Sequence, residues 1–147
     1  MATSLQFIKS ASGTDVASLS ITGFTSQYDV YAIWTPQIIQ AGNNDINSRF
    51  IDSSGNVISD SEYDYASEVM NSHSSFSESR EVNQSQIDNV GVNDANETYG
   101  VGSTTYIFNP VDSSSYTFLI HQSAGMRDIG KLRPYKTIAV HKVAEEI

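Results

Sequence analysis

The chain has 147 residues, no cysteine and a formal net charge of −9. A chain of this length can bury a core without a disulfide or a metal ion, so we expect one domain over residues 1–147. The acidic excess disfavours nucleic acid and anionic membranes as partners. No apolar stretch approaches the roughly 20 residues that span a bilayer, and the first residues lack the pattern of a secretory signal.

Short strand signals recur along the chain, separated by turns rich in serine, asparagine and aspartate. Apolar and polar residues alternate with the period of two that is typical of strands with one wet face. In chain order the predicted strands are 5–9, 16–21, 28–39, 49–52, 56–58, 63–69, 75–81, 104–109, 116–122 and 136–143.

The longest strand signal lies at 28–39. Val30, Ala32 and Trp34 share one of its faces, and we predict that they point into the core. Pro36 cannot donate a hydrogen bond to a neighbouring strand, so it should mark an edge, a bulge or a bend. Farther on, Gly55 between 49–52 and 56–58 indicates a hairpin with a positive φ angle.

The polar stretch 71–100 has the weakest pattern, and after the strand at 75–81 we expect a turn or a short helix near 84–89. About eight to ten strands with hardly any helix favour an all-β fold. We predict an antiparallel β-sandwich of jelly-roll type.

The sequence offers few residues for chemistry. Its histidines, His73, His121 and His141, have no His-x-His or His-x-x-x-His spacing, and we expect surface or interface positions for them. Strand alternation makes His121 a neighbour of Leu119, which predicts partial burial and a hydrogen bond. There is no Gly-x-Ser-x-Gly elbow and no marked acid of a glycosidase pair. We predict no catalytic residue and no enzymatic activity.

Two groups of side chains carry oxygen atoms of the kind that calcium prefers. One lies at the start of the predicted strand 63–69, and the other lies in a loop near residue 90. Neither has the spacing of a calcium loop, so we expect solvated surfaces, no metal and no cofactor. The groups are Asp60, Glu62 and Asp64, and Asp88, Asn89, Asn93, Asp94, Asn96 and Glu97.

The aromatic residues fall mainly in predicted strands. Pairs such as Tyr28 with Tyr31 or Tyr63 with Tyr65 could lie in the core. Exposed Tyr or Trp side chains would instead suit a subunit interface or a platform on which sugars stack. The pattern leaves all three interpretations open.

Three stretches carry a family resemblance. They are Tyr-Asp-Val-Tyr at 28–31, Arg-Phe-Ile-Asp-Ser-Ser-Gly at 49–55 followed by Ser-Glu-Tyr-Asp-Tyr-Ala at 61–66, and Ser-Ser-Ser-Tyr-Thr-Phe at 113–118. Together they resemble small virion structural proteins of tailed phages, above all those of marine cyanobacterial phages. The resemblance implies a jelly-roll-like subunit of the tail-fibre or capsid-decoration type, and it carries over no catalytic residue.

Basic residues are unevenly placed. Arg80 is the only one between Phe50 and Met126, among eleven carboxylates, whereas five others follow that stretch. Members of the family continue beyond the segment that corresponds to 140–146 into further strands. We therefore expect residues 137–143 to form an exposed sheet edge that another subunit covers. The predicted interface residues are Arg127, Lys131, Arg133 and Lys136.

The sequence thus predicts a structural subunit of a tailed-phage virion, made in the host cytoplasm and located in the particle. Its partners would be itself, as a homotrimer, and other virion proteins, with no nucleic acid and no membrane insertion. The alternative is a carbohydrate-binding module at a receptor-binding fibre tip, with a host-surface glycan as its ligand.

Overall fold

The computed structural model describes residues 5–39, 46–90, 100–126 and 130–147. These residues contain strands and no helix, hence no helix that could cross a membrane. The strands are β1 (Val30–Ile38), β2 (Tyr63–Val69), β3 (Ser77–Gln84), β4 (Val101–Phe108), β5 (Thr117–Gly125) and β6 (Tyr135–His141). The predicted all-β class is confirmed, with six strands in the described part of the chain instead of eight to ten.

All six strands form one antiparallel sheet in the order β1-β4-β5-β6-β2-β3. The prediction that residues 137–143 form a sheet edge is wrong, because β6 pairs with β5 on one side and with β2 on the other. The edges are β1 and β3. The β2–β6 pairing joins segments about 70 residues apart in the chain, and local alternation carries no information about it.

The core lies on one side of this sheet. Tyr65, Ile107 and Leu119 are buried there, at most 6% exposed. The segments 46–60 and 85–90 cover them, linked to each other by the bridge between Ser48 and Ile87. From these segments Phe50, Ile58, Ile87 and Val90 complete the cluster. The layer opposite the sheet therefore consists of loops and isolated bridges.

The hairpin predicted around Gly55 is confirmed. Ile51 and Val57 form an antiparallel bridge, and Gly55 has φ = 89°. One carboxylate oxygen of Asp52 accepts hydrogen bonds from the backbone N–H groups of Ser54 at 2.9 Å and Asn56 at 2.8 Å. The Asn56 N–H group, which favours the ionised carboxylate, is the main reason that the Asp52 pKa lies below its usual value.

The faces of β1 are reversed relative to the prediction. Tyr31 is 6% exposed and stands opposite Ile107 on the core side, whereas Trp34 is 57% exposed and Val30 is 49% exposed. Both faces of this strand carry apolar side chains, so alternation shows that two faces exist without showing which is buried. The core expectation for Val30, Ala32 and Trp34 is wrong.

The first two predicted strands, 5–9 and 16–21, are also wrong. Residues 5–22 have no strand conformation, and nearly all their side chains are exposed. Near 84–89 the chain makes a bridge at Ile87 and forms no helix.

Candidate functional site

The side of the sheet that faces away from the core carries large apolar side chains that the other described residues leave exposed, and we call it the open face. Its pairing register places Ala32, Tyr106, Ile120, Ile138 and Ala66 in one row across five strands. The most exposed large side chains on it, between 42% and 63% exposed, are Val30, Trp34, Val82, Tyr106, Phe118 and Ile138.

A groove runs across one part of the open face. It has a volume of about 490 Å³, and Val82, Phe118, Ile138 and Val140 supply much of its lining. The next row toward the other end of the strands begins with Trp34 on β1 and is otherwise polar, with Thr104, Gln122, Lys136 and Glu68 opposite one another in register. The open face thus has an apolar half and a polar half.

Both edges of the sheet carry features that discourage pairing with another strand. Edge strand β1 contains Pro36 and a break in register between Thr35 and Ile38. Edge strand β3 carries charged residues, among them Arg80, and its pairing with β2 shifts between Tyr63 and Tyr65. Proline, bulges and charges are common ways of blocking edge-to-edge association.

Residues 5–22 form a second exposed apolar feature, which we call the arm. Its Lys9 ammonium donates a hydrogen bond to the Thr22 hydroxyl at 3.0 Å. After the arm, Phe24 packs edge-on against Tyr31 with 4.8 Å between ring centroids. The large apolar side chains of the arm are 47% to 81% exposed, namely Leu5, Phe7, Ile8, Val16 and Leu19.

A separate polar cluster lies where β2 begins and β6 ends, and we call it the His141 cluster. The His141 side chain is 0% exposed, and its Nε2 lies 3.0 Å from Glu62 Oε2 and 3.5 Å from Glu145 Oε1. One ligand atom from each of these three residues lies within 4.8 Å of the others. Both glutamates keep one side toward water, with side chains 30% and 37% exposed.

Aromatic rings enclose the buried side of His141. The Tyr63 ring centroid lies 5.2 Å from that of His141, and the Phe50 centroid lies 6.1 Å away. The Tyr63 hydroxyl accepts a hydrogen bond from the Phe50 N–H at 3.0 Å and donates one to the Ile58 carbonyl at 3.2 Å. Burial raises the pKa of Tyr63 to about 12, so this hydroxyl stays protonated.

The predicted carboxylate groups take different places. Asp64 pairs with Lys142 at 2.8 Å, and the hydrogen bond from that ammonium lowers the Asp64 pKa. Glu62 belongs to the His141 cluster, and Asp60 is exposed. Asp88 accepts a hydrogen bond from the Tyr65 hydroxyl at 3.0 Å. The Asn89 carbonyl accepts a hydrogen bond from the Thr137 hydroxyl at 2.7 Å. The four remaining members of the second group, Asn93, Asp94, Asn96 and Glu97, lie outside the described residues.

The histidines also differ. His73 is exposed, as expected, and its Nδ1 lies 2.8 Å from the Ser72 hydroxyl. His121 is 3% exposed and bonded to the Thr105 hydroxyl at 2.8 Å, which agrees with the predicted burial and hydrogen bond. The surface position expected for His141 is wrong, because β6 lies inside the sheet and its alternate residues face the core.

The structure describes three of the four predicted interface residues. Lys136 projects from the polar half of the open face, and Lys131 is exposed. The Arg133 guanidinium lies 5.5 Å from the centre of the Tyr135 ring. Arg127 lies outside the described residues. Their role in an interface stays a prediction.

Sequence reasoning missed both the open face and the involvement of Glu145. The four-residue spacing between His141 and Glu145 was visible, but Glu62 is 79 residues from His141 in the chain. Comparison of the chain with protein-family models, with curated proteins and with solved structures found no match.

Proposed function

We propose that this protein is a structural subunit that assembles by placing the arm of one copy on the open face of the next. The observation that carries the proposal is that the arm and the apolar half of the open face both expose large apolar side chains. The resemblance to tailed-phage virion proteins supports a place in a virus particle, as a capsid decoration or a tail-associated appendage. A jelly-roll arrangement would arise if the arm supplied part of a second layer.

The open face has an apolar patch of a size that often serves as a binding surface. Its six most exposed large side chains include three aromatic residues, Trp34, Tyr106 and Phe118. A fully exposed aromatic side chain offers about 150–250 Å² of surface, and all six side chains, each roughly half exposed, together leave on the order of 500 Å² uncovered. The largest apolar patch of a typical monomer measures about 300–600 Å², and such a patch is often functional. A contact that covered it would bury on the order of 1,000 Å² over both partners, the lower bound for a specific interface.

The arm fits this face better than a whole neighbouring subunit does. Lys9 and Asp15 are its only charged residues, so the arm is neutral while the chain as a whole carries −9. Placing the arm on the open face therefore buries apolar surface without bringing the negatively charged surfaces of two subunits into contact. Its alternating side chains suit an extended segment that lays one side on a flat surface.

Such a contact joins two different surfaces, and each subunit has one of each. Contacts of this head-to-tail kind close into a ring when the rotation between neighbours permits. We take the ring to be a homotrimer, which agrees with the symmetry expected from the sequence. Other virion proteins would then meet the outside of the ring.

Complementation between two defective variants tests this arrangement. The arm variant carries Phe7→Asp and Leu19→Asp, and the face variant carries Trp34→Asp and Phe118→Asp. The matched control is Val57→Asp, since Val57 is 54% exposed but lies in the 49–58 hairpin. Light scattering and sedimentation velocity give the mass of each, and circular dichroism checks that each remains folded.

The parent chain and the control should form the ring, and each double variant alone should be a folded monomer. An equimolar mixture of the two variants should give a one-to-one dimer. In that dimer the intact arm of the face variant binds the intact face of the arm variant. A parent chain that is monomeric at high concentration refutes the proposal. A parent oligomer that survives the arm variant also refutes it, and points to contact between two open faces.

Carbohydrate binding is the second candidate function, favoured by the exposure of Trp34. Trp34 and Tyr106 are diagonal neighbours on adjacent strands, since Trp34 pairs with Thr104 and Ala32 pairs with Tyr106. Two exposed rings at this spacing can stack on consecutive sugars. A glycan array probed with the monomeric arm variant tests this function. Binding that Trp34→Ala abolishes and Val57→Ala leaves intact would favour it, and an array without signal would refute it.

A further inference from the structure

We propose that the His141 cluster binds one divalent zinc ion through His141 Nε2, Glu62 Oε2 and Glu145 Oε1. This inference is independent of how subunits assemble. It reverses the expectation from the sequence that the chain holds no metal. The ion would connect the start of β2, the end of β6 and the segment that follows β6.

The distances suit this ion. Zinc binds imidazole nitrogen and carboxylate oxygen at about 2.0–2.2 Å, and tetrahedral geometry then separates neighbouring ligand atoms by about 3.3–3.6 Å. Here the two nitrogen-to-oxygen distances are 3.0 Å and 3.5 Å. The third side of the triangle is at most 4.8 Å. Both glutamate side chains reach the surface, so small rotations can equalise the sides while the buried imidazole stays in place.

The negative charges of the two glutamates also favour a bound cation. Two carboxylates within 4.8 Å of each other repel unless positive charge lies between them. Within the described residues, neither Glu62 nor Glu145 forms an ion pair with lysine or arginine. Lys142, which follows His141 directly, pairs instead with Asp64 at 2.8 Å. The cluster therefore concentrates negative charge around a nitrogen ligand.

The mixed ligand set selects the class of metal. Imidazole with carboxylates suits first-row transition metals, zinc among them, whereas calcium and magnesium prefer sites made of oxygen alone. Three protein ligands leave a fourth position for water, which the exposed side of the two glutamates makes accessible. The rings of Tyr63 and Phe50 hold the imidazole in orientation.

Isothermal titration calorimetry of the untagged, chelator-dialysed chain with zinc chloride tests the proposal. The titration should show one zinc per chain and no heat of binding with calcium chloride. In thermal unfolding, the melting temperature should rise by roughly 5–10 °C at a hundredfold excess of zinc over Kd. Glu62→Gln and Glu145→Gln should each weaken zinc binding by about 100-fold or more, because even outer-shell substitutions cost about 10–100-fold. Both residues are partly exposed, so both variants should fold.

Two controls separate this site from surface binding. Glu146→Gln changes the neighbouring exposed carboxylate, and His73→Ala removes the exposed histidine; both should bind zinc as the parent chain does. If the parent chain takes up no zinc, the proposal is wrong and the cluster is a hydrogen-bonded group alone. If zinc binding survives Glu62→Gln and Glu145→Gln but is lost in His73→Ala, the proposal is likewise wrong.

Discussion

His121 makes the stability of this protein depend on pH in a way that can be calculated. The imidazole is 3% exposed on the core side of the sheet, and its Nδ1 is hydrogen-bonded to the Thr105 hydroxyl at 2.8 Å. Its Nε2 is buried without a hydrogen-bond partner among the described residues. Protonation would place a charged N–H group in this buried position, and burial therefore lowers the pKa of His121 from 6.5 to about 4.

The sign of the effect follows from which state binds the proton first. Below pH 6.5 the unfolded chain protonates His121 while the folded chain does not, so acidification stabilises the unfolded state. The free energy of unfolding should fall between pH 7 and pH 4, and below about pH 4 this effect ends because both states are protonated. A shift from 6.5 to about 4 corresponds to a total loss of about 3 kcal/mol.

Urea unfolding of the parent chain and of His121→Gln at pH 7.5, 6, 5 and 4.5 measures this contribution. The difference in unfolding free energy between the two proteins isolates His121 from other titrating groups. Relative to the variant, whose glutamine does not titrate, the parent chain should lose most of the stability that depends on His121 by pH 4.5. A difference that stays constant over this range would refute the reasoning, because it would mean that folding does not change the pKa of His121.

Four further substitutions test the packing and the buried or turn hydrogen bonds. Leu119→Ala should lower the free energy of unfolding by about 2–5 kcal/mol because Leu119 is 2% exposed. Trp34→Ala, measured on the arm variant so that assembly does not contribute, should change it by less than about 0.5 kcal/mol, and a large loss would place Trp34 in the core after all. Tyr63→Phe should cost about 1–3 kcal/mol, since it leaves the buried Phe50 N–H and Ile58 carbonyl without their partner; an unchanged urea midpoint would contradict this. Asp52→Ala should speed hydrogen exchange at the Ser54 and Asn56 amides, while exchange at β5 amides stays slow.

The features that sequence predicted correctly are local. A period of two, turn-forming residues and the near absence of helix signals determine an all-β chain. Two residues specify the hairpin. The Asp52 carboxylate accepts backbone hydrogen bonds of the turn, and Gly55 adopts its positive φ angle without strain. Tyr63, Tyr65 and Val69 share the buried face of β2, because its alternate residues are polar or small and leave only one apolar side. The burial of His121 follows from the same alternation in β5.

The features that link distant segments depend on tertiary packing and cannot be predicted from local sequence. In β1 both faces are apolar, so the choice between Tyr31 and Trp34 as the buried residue depends on what packs against each face. The internal position of β6 depends on its pairing with β2, and the same pairing brings Glu62 to His141 across 79 residues. Segment 5–22 has the alternation of a strand but no partner strand in the described chain. The alternation of apolar and polar residues and the preferences of turn-forming residues reflect interactions over a few residues. Strand partners and buried faces, in contrast, are set by the packing of the whole core.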